Sequence, residues 1–378
     1  MEPERPVALC RPAGATRRRT RVGRCLSGSS RSLLVSVAVL GVSAVPGFAT
    51  GARFNVVQLN VNQLNVNQLE RAERAAGFGR ENKIRIVQIT YVAHDGLRRL
   101  AVVLLPRWYR PGDDPPIPLI ISPHGRGIRP LQNARLWGNL PAVGRFAVVC
   151  PEGQGRRLTL FAWGDPGDIS DLARMPAILA RRLPFLRIER HRIYAFGSSM
   201  GGQETLLLLA RDPGLLAGAA AFDADTDLAA RYRLILDLPD GRSLQRKLVA
   251  EVGGTPASDP GAYRARSPLF EAGRIARSGV PLQIWWSTKD RVVRNQNDES
   301  GLLYRTIRRL NPAAPVVQVV GTWVHSVEFS ANRRLSVALS AFSLLPVQPG
   351  RVLDPAAKRA LGLPDDWTGP PLAIHWGR

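Results

Sequence analysis

The chain has 378 residues, 45% of them hydrophobic and 22% charged, a balance that excludes a disordered or fibrous protein. The formal charge is +22, but arginine is spread along the chain with neither zinc-ligand spacing nor an aromatic-interleaved basic patch. Nucleic-acid binding is therefore not expected, and the charge implies electrostatic association with anionic surfaces, polymers or substrates.

Residues 1–52 read as a secretory signal peptide. Arg17, Arg18, Arg19, Arg21, Arg24 and Arg31 form a basic lead-in, Leu33 to Val45 is an apolar run, and small residues close it around Ala49 and Ala52. The run is short for a membrane span, so export is expected rather than an uncleaved anchor. Eight arginines and two glutamates lie in this stretch, leaving +16 on residues 53–378. Cys10 and Cys25 would leave with the signal, and Cys150 alone cannot form an internal disulfide.

Residues 53–82, with their brief Leu-Asn-Val-Asn-Gln repeat, read as a linker or edge segment. A catalytic domain is expected over 83–346. Ile84 to Tyr91 and Leu100 to Leu105, flanking His94-Asp95-Gly96, predict a β-hairpin. Pro118 to Ser122 and Phe146 to Cys150 predict short buried strands. Ile169, Leu172, Met175, Ile178, Leu179 and Leu183 predict a helix opened by Asp168 and Asp171. Strands at 192–196, 216–222, 280–286 and 315–320 then alternate with helices at 203–211 and 299–310 and a longer, partly helical stretch at 226–279. That alternation predicts a mostly parallel central sheet with helices on both faces. Residues 347–378 read as a proline-rich tail.

Gly197-Ser198-Ser199-Met200-Gly201-Gly202 sits between a strand and the helix that follows, the setting of a nucleophile elbow. The tight turn leaves no room for side chains at 197 and 201, and it holds the Ser199 hydroxyl at a helix N-terminus, where a developing oxyanion is favoured. A serine needs a base, and the chain has five histidines. His94, His124 and His191 precede Ser199, His375 lies in the tail, and His325 follows the last strand. The order serine, acid, histidine makes His325 the base. Asp290, after the 280–286 strand, is the favoured carboxylate partner, with Asp223 and Asp225 as rivals. The backbone N–H of Met200 and that of Arg126, with Gly125 or Gly127 as alternatives to Arg126, in Pro123-His124-Gly125-Arg126-Gly127, are the candidate oxyanion donors. Trp286 and Trp323 are candidates to line a substrate pocket. No residue cluster suggests a metal or an organic cofactor.

These residues together resemble the α/β-hydrolase superfamily. The stretch 192–202, Gly253-Gly254-Thr255-Pro256, Tyr263 to Pro268 and Val280-Pro281-Leu282 leading to Asp290-Arg291-Val292-Val293 resemble, more narrowly, the prolyl-oligopeptidase-like catalytic domain, over residues 115–345. The family's peptidases carry a large N-terminal propeller, for which the stretch before 115 is short, and Trp285-Trp286-Ser287 stands where they usually have His-Gly. The resemblance implies a secreted serine hydrolase acting on ester, peptide or other amide bonds of a small molecule, peptide or polymer. Polyester and carbohydrate-ester esterases share the layout. A non-catalytic envelope protein on a hydrolase scaffold is the alternative of a different class.

Overall fold

A computed structural model describes residues 83–345 apart from Pro111 and Asp113. The signal, linker and tail expected at 1–52, 53–82 and 347–378 lie outside the described residues. The elements run, in order, β1 (Ile84–Val92), β2 (Arg98–Pro106), β3 (Ile117–Ile121), α1 (Pro130–Arg135), α2 (Leu140–Gly144), β4 (Ala147–Pro151), α3 (Pro166–Arg182), β5 (Ile188–Ser198) and α4 (Met200–Arg211). They continue with β6 (Gly218–Phe222), α5 (Leu228–Leu234), α6 (Gly241–Val252), α7 (Pro260–Ala265), α8 (Ala272–Arg277), β7 (Leu282–Ser287), α9 (Ser300–Leu310), β8 (Val316–Gly321) and α10 (Leu335–Ser340).

The strands form one sheet in the order β1-β2-β4-β3-β5-β6-β7-β8. β1, β2 and β4 pair antiparallel, and every other neighbour pairs parallel. The parallel strands are short apolar runs because both faces are covered. Ala147 and Val149 of β4 join a core with Ile169, Leu172 and Met175 of α3, Leu206 to Ala210 of α4 and Leu303 and Ile307 of α9. Val148 and Cys150 point to the opposite core, with Ala134 of α1, Trp137, and Leu335, Val337, Ala338 and Leu339 of α10. Helices thus cover both faces, as the alternation predicts.

The chain leaves β3 toward β4 and then returns past β3 to place β5 on its other side. This reversal makes the carboxyl ends of β3 and β5 the topological switch point, the position at which open α/β sheets bind ligands. The loop 122–129 and the turn at Ser199 both lie there.

Two elements differ from the reading by pattern. The sequence places the start of α3 at Asp168 and Asp171, but Asp165 is its cap, accepting from Gly167 N at 2.9 Å with Pro166 in the first turn. Asp168 and Asp171 are buried and serve as tertiary acceptors, for Gln154 N and for His94. The stretch 226–279 resolves into four separate helices. They are tied to α4 by Gln203, whose Nε2 donates to Arg266 O at 2.7 Å.

Candidate active site

Ser199 stands between β5 and α4 with φ 57° and ψ −127°, a backbone conformation that an L-residue adopts only under constraint. The constraint is packing. A Cβ on Gly197 would lie 2.2 Å from Gly201 O, and one on Gly201 would lie 2.3 Å from Pro123 O. Ser199 N donates to Phe222 O at 2.8 Å, and Ser199 O accepts from Gln203 N at 3.0 Å. The turn is thereby locked to β6 and to its own helix.

From the loop after β3, a Cβ on Gly125 would lie 3.9 Å from the Ser199 Cβ. His124, buried to 1% exposure, sets this loop. Its Nδ1 meets Gly125 O at 2.8 Å while its Nε2 accepts from Gly153 N at 2.9 Å. One nitrogen must donate and the other accept, so the imidazole is the neutral Nδ1–H tautomer. Burial lowers its pKa to about 4, against a smaller opposing effect of the Gly125 carbonyl. Among the described residues the backbone N–H groups of Gly125 and Arg126 have no hydrogen-bond partner. The N–H of Met200, first residue of α4, has no acceptor within its own helix.

The segment after β8 folds back over the same edge. His325 Nδ1 lies 2.6 Å from Asp290 Oδ2, and the two side chains are 12% and 1% exposed. The other oxygen of Asp290 accepts from Val292 N at 2.8 Å and Val293 N at 3.0 Å. Two backbone donors and an imidazole fix this carboxylate. Asp223, directly after β6, anchors both neighbouring loops. Its oxygens accept from Ser287 N (2.9 Å), Trp323 Nε1 (2.9 Å) and Ser326 N (2.8 Å). Burial raises its pKa, with His325 pulling the other way and Asp290 adding to the rise.

Asp223, Asp290 and His325 each offer a ligand atom within 4.8 Å of the others, the donor types of a cation site. The Asp223 oxygens are already engaged by Ser287, Trp323 and Ser326, and Asp290 Oδ2 by the imidazole, so the geometry is that of an Asp290–His325 hydrogen bond beside a separately bonded Asp223.

No protein-family model and no curated protein sequence matches the chain. Solved structures do. An acylaminoacyl peptidase of Pyrococcus horikoshii superposes with a TM-score of 0.50 at 19% identity, over 66% of this chain and 39% of that one. A puromycin-hydrolysing peptidase of Mycobacterium tuberculosis gives 0.51 at 18%, over 66% and 37%. A Pyrobaculum calidifontis esterase gives 0.50 at 16%, over 65% and 78%. The chain has the α/β-hydrolase fold. It spans well under half the length of either peptidase.

Within this α/β-hydrolase fold, the sequence-predicted residues Ser199, Gly125, Arg126, Asp290 and His325 lie in loops at the carboxyl edge of the sheet, and Met200 opens α4 at the same edge. Asp223 and Asp225, weighed as alternative acids, hold other partners. Asp223 braces the His325 loop, and Asp225 lies 3.1 Å from Arg231 Nε. Trp286 and Trp323, expected to line a substrate pocket, are both packed side chains. Trp286 is 2% exposed in the α9-side core, its Nε1 donating to Asn297 Oδ1 at 3.1 Å. Trp323 is 8% exposed, bonded to Asp223 with Arg334 over its ring at 4.6 Å. Cys150 is buried, its thiol pushed up to about 12 chiefly by burial. Sequence reasoning missed His124 and Arg231 as supports of the site. The position of His124 next to Gly125 and Gly127 is the only cue for it, and nothing local marks Arg231.

Proposed function

We propose that this chain is a serine hydrolase that cleaves ester or amide bonds through an acyl-enzyme at Ser199. The observation that carries the reading is the His325–Asp290 pair at 2.6 Å, on the same sheet edge as a serine held at positive φ. With Nδ1–H donated to Asp290, the Nε2 lone pair of His325 is left to take the Ser199 proton. Ser199 Oγ then bonds to the acyl carbon, and the negative charge on the former carbonyl oxygen is met by the N–H groups of Met200 and of Arg126 or Gly125. As the acyl–heteroatom bond breaks, the proton passes from His325 to the leaving group. Water attacks the acyl-enzyme with His325 again as base, which returns Ser199 and releases the acid. The fold neighbours include both peptidases and an esterase, which supports acyl transfer as the chemistry. The signal-like residues 1–52 support export of the mature chain.

The test is hydrolysis of p-nitrophenyl acetate by the wild type and by Ser199→Ala, with peptide anilides in parallel and fluorophosphonate labelling of the serine. Turnover and labelling that both vanish in Ser199→Ala are expected. A wild type that neither turns over any substrate nor takes up the fluorophosphonate is not a serine hydrolase.

A further inference from the structure

Resting on the hydrolase reading above, we propose that Arg231, on α5, is the positioning residue for the catalytic acid, clamping the peptide group that holds Asp290. Asp290 lies between β7 and α9, outside any strand or helix. One of its oxygens accepts from the N–H groups of Val292 and Val293, at 2.8 and 3.0 Å, and the other meets His325. The loop thus wraps its own acid, and something must hold the loop. Among the described residues, the hydrogen bonds that tie residues 289–293 to the rest of the fold come from three places. Ser287, at the end of β7, binds Lys289 N and Asp290 N. The His325 imidazole meets Asp290, and the Arg231 guanidinium donates from Nη1 to Val292 O.

Val292 O and Val293 N belong to one trans, planar peptide group, so they point to opposite sides. A guanidinium that pins the carbonyl on one side fixes the direction of the N–H that reaches Asp290 on the other. A charged donor on the carbonyl also polarises the peptide group and strengthens its N–H as a donor. The brace therefore runs from Arg231 through the 292–293 peptide to Asp290, and from Asp290 to His325.

Arg231 is itself held in place. It is 2% exposed, and its Nε lies 3.1 Å from Asp225 Oδ1. Glu299, the residue before α9, accepts from Thr226 N, Thr226 Oγ1 and Asp227 N at 2.7, 2.7 and 2.8 Å. Asp227 caps α5, accepting from Ala229 N at 2.9 Å and Ala230 N at 3.1 Å. Arg231 thus stands one turn into a helix whose start is fixed. The segment after β6 serves both members of the catalytic pair: Asp223 bonds to Ser326 beside the base, and Arg231 reaches the loop of the acid. Any cation could neutralise Asp225. The fork of a guanidinium spans Asp225 and Val292 O together, which the single point charge of a lysine ammonium does not.

The full chain is compared with two variants. Arg231→Lys keeps a cation for Asp225 and loses the fork, whereas Asp225→Asn/Arg231→Met removes the ion pair as a unit and leaves neither charge unpaired. Urea unfolding establishes that each is folded, and the paired variant carries every measurement if Arg231→Lys is not. With p-nitrophenyl acetate, kcat and kcat/KM are expected to fall together by about ten- to a hundredfold, as for a misplaced catalytic group. Adding either change to Asp290→Asn should then cost less than about twofold more in kcat, because the group through which Arg231 acts is already disabled. Folded variants as active as the wild type would overturn the inference while leaving the hydrolase intact. Losses that multiply in the Asp290→Asn background would also overturn it, since Arg231 would then act elsewhere than on Asp290. A wild type with neither turnover nor fluorophosphonate labelling would instead sink the hydrolase reading itself.

Discussion

Asp223 and Asp290 are both carboxylates at strand ends beside His325, and their partners divide the work between them. Asp290 meets the imidazole directly at 2.6 Å, whereas Asp223 takes one indole and two backbone N–H donors from the loops on either side. Asp290→Asn is expected to lower kcat about ten-thousandfold, because an amide opposite Nδ1 selects the wrong tautomer, with little change in stability. Asp223→Asn puts an NH2 against N–H donors and leaves one unsatisfied, so it should lose about 1–3 kcal/mol of stability, with the smaller effect on kcat. Urea unfolding and steady-state kinetics on both variants check this, and the reverse pattern would exchange the two roles. Sequence alone does not separate these residues. Each is an aspartate shortly after an apolar strand, and only the fold reveals that Trp323 and Ser326 return to Asp223.

At the scale of elements, what was legible depended on whether the signal was local. The elbow was legible because backbone geometry dictates residue type there: two glycines are demanded by contacts of 2.2 and 2.3 Å. Strands buried on both faces stood out as short apolar runs, and α9 by its one-sided apolar stripe. Less visible were α1 and α2 and the four helices of 226–279, whose ends are set by tertiary contacts rather than by periodicity. Arg266 is the example. It reads as one more arginine in a basic chain, yet it is 3% exposed and lies 2.7 Å from Asp165, the α3 cap, and 3.4 Å from Glu251 of α6. Arg266→Met leaves two buried acids without their cation and should cost about 3–5 kcal/mol, read as a lower midpoint in denaturant. In α4, Gly201→Ala should destabilise the protein by about 1–3 kcal/mol or more, since Pro123 O must move to admit a methyl. Fluorophosphonate labelling should slow in the same variant, because the contact that sets the turn also sets the approach of the Gly125 loop. A Gly201→Ala protein as stable and as reactive as wild type would show that the turn does not depend on that contact.

Across the whole molecule the buried titratable groups set opposing pH dependences. His124, held neutral with a pKa near 4, binds its proton more weakly when folded than its ordinary value of about 6.5. Its contribution to stability is present above pH ~6.5 and is lost as pH falls toward 4. Asp168 behaves oppositely. It is buried behind the active-site edge, with Oδ1 accepting from Gln154 N at 2.9 Å and Oδ2 bonded to nothing among the described residues. Burial, with Asp171, Asp165 and Glu251 adding to it, raises its pKa to about 8 against the pull of the Gln154 N–H. Burial likewise lifts Glu204, on the facing helix, well above the carboxylate range, and Asp168 adds to the rise. A folded state that holds protons which the unfolded chain has released loses stability as pH rises. For Asp168 that window runs from about 4 to about 8, at ~1.4 kcal/mol per pH unit for each extra proton held. Asp168→Asn keeps the acceptor for Gln154 and removes the titration. Its unfolding free energy, followed by urea denaturation from pH 5 to pH 9, should therefore fall less steeply than that of the wild type, with the gap widest at the alkaline end. Parallel curves for the two proteins would mean that Asp168 enters the fold already ionised, and that the slope arises elsewhere.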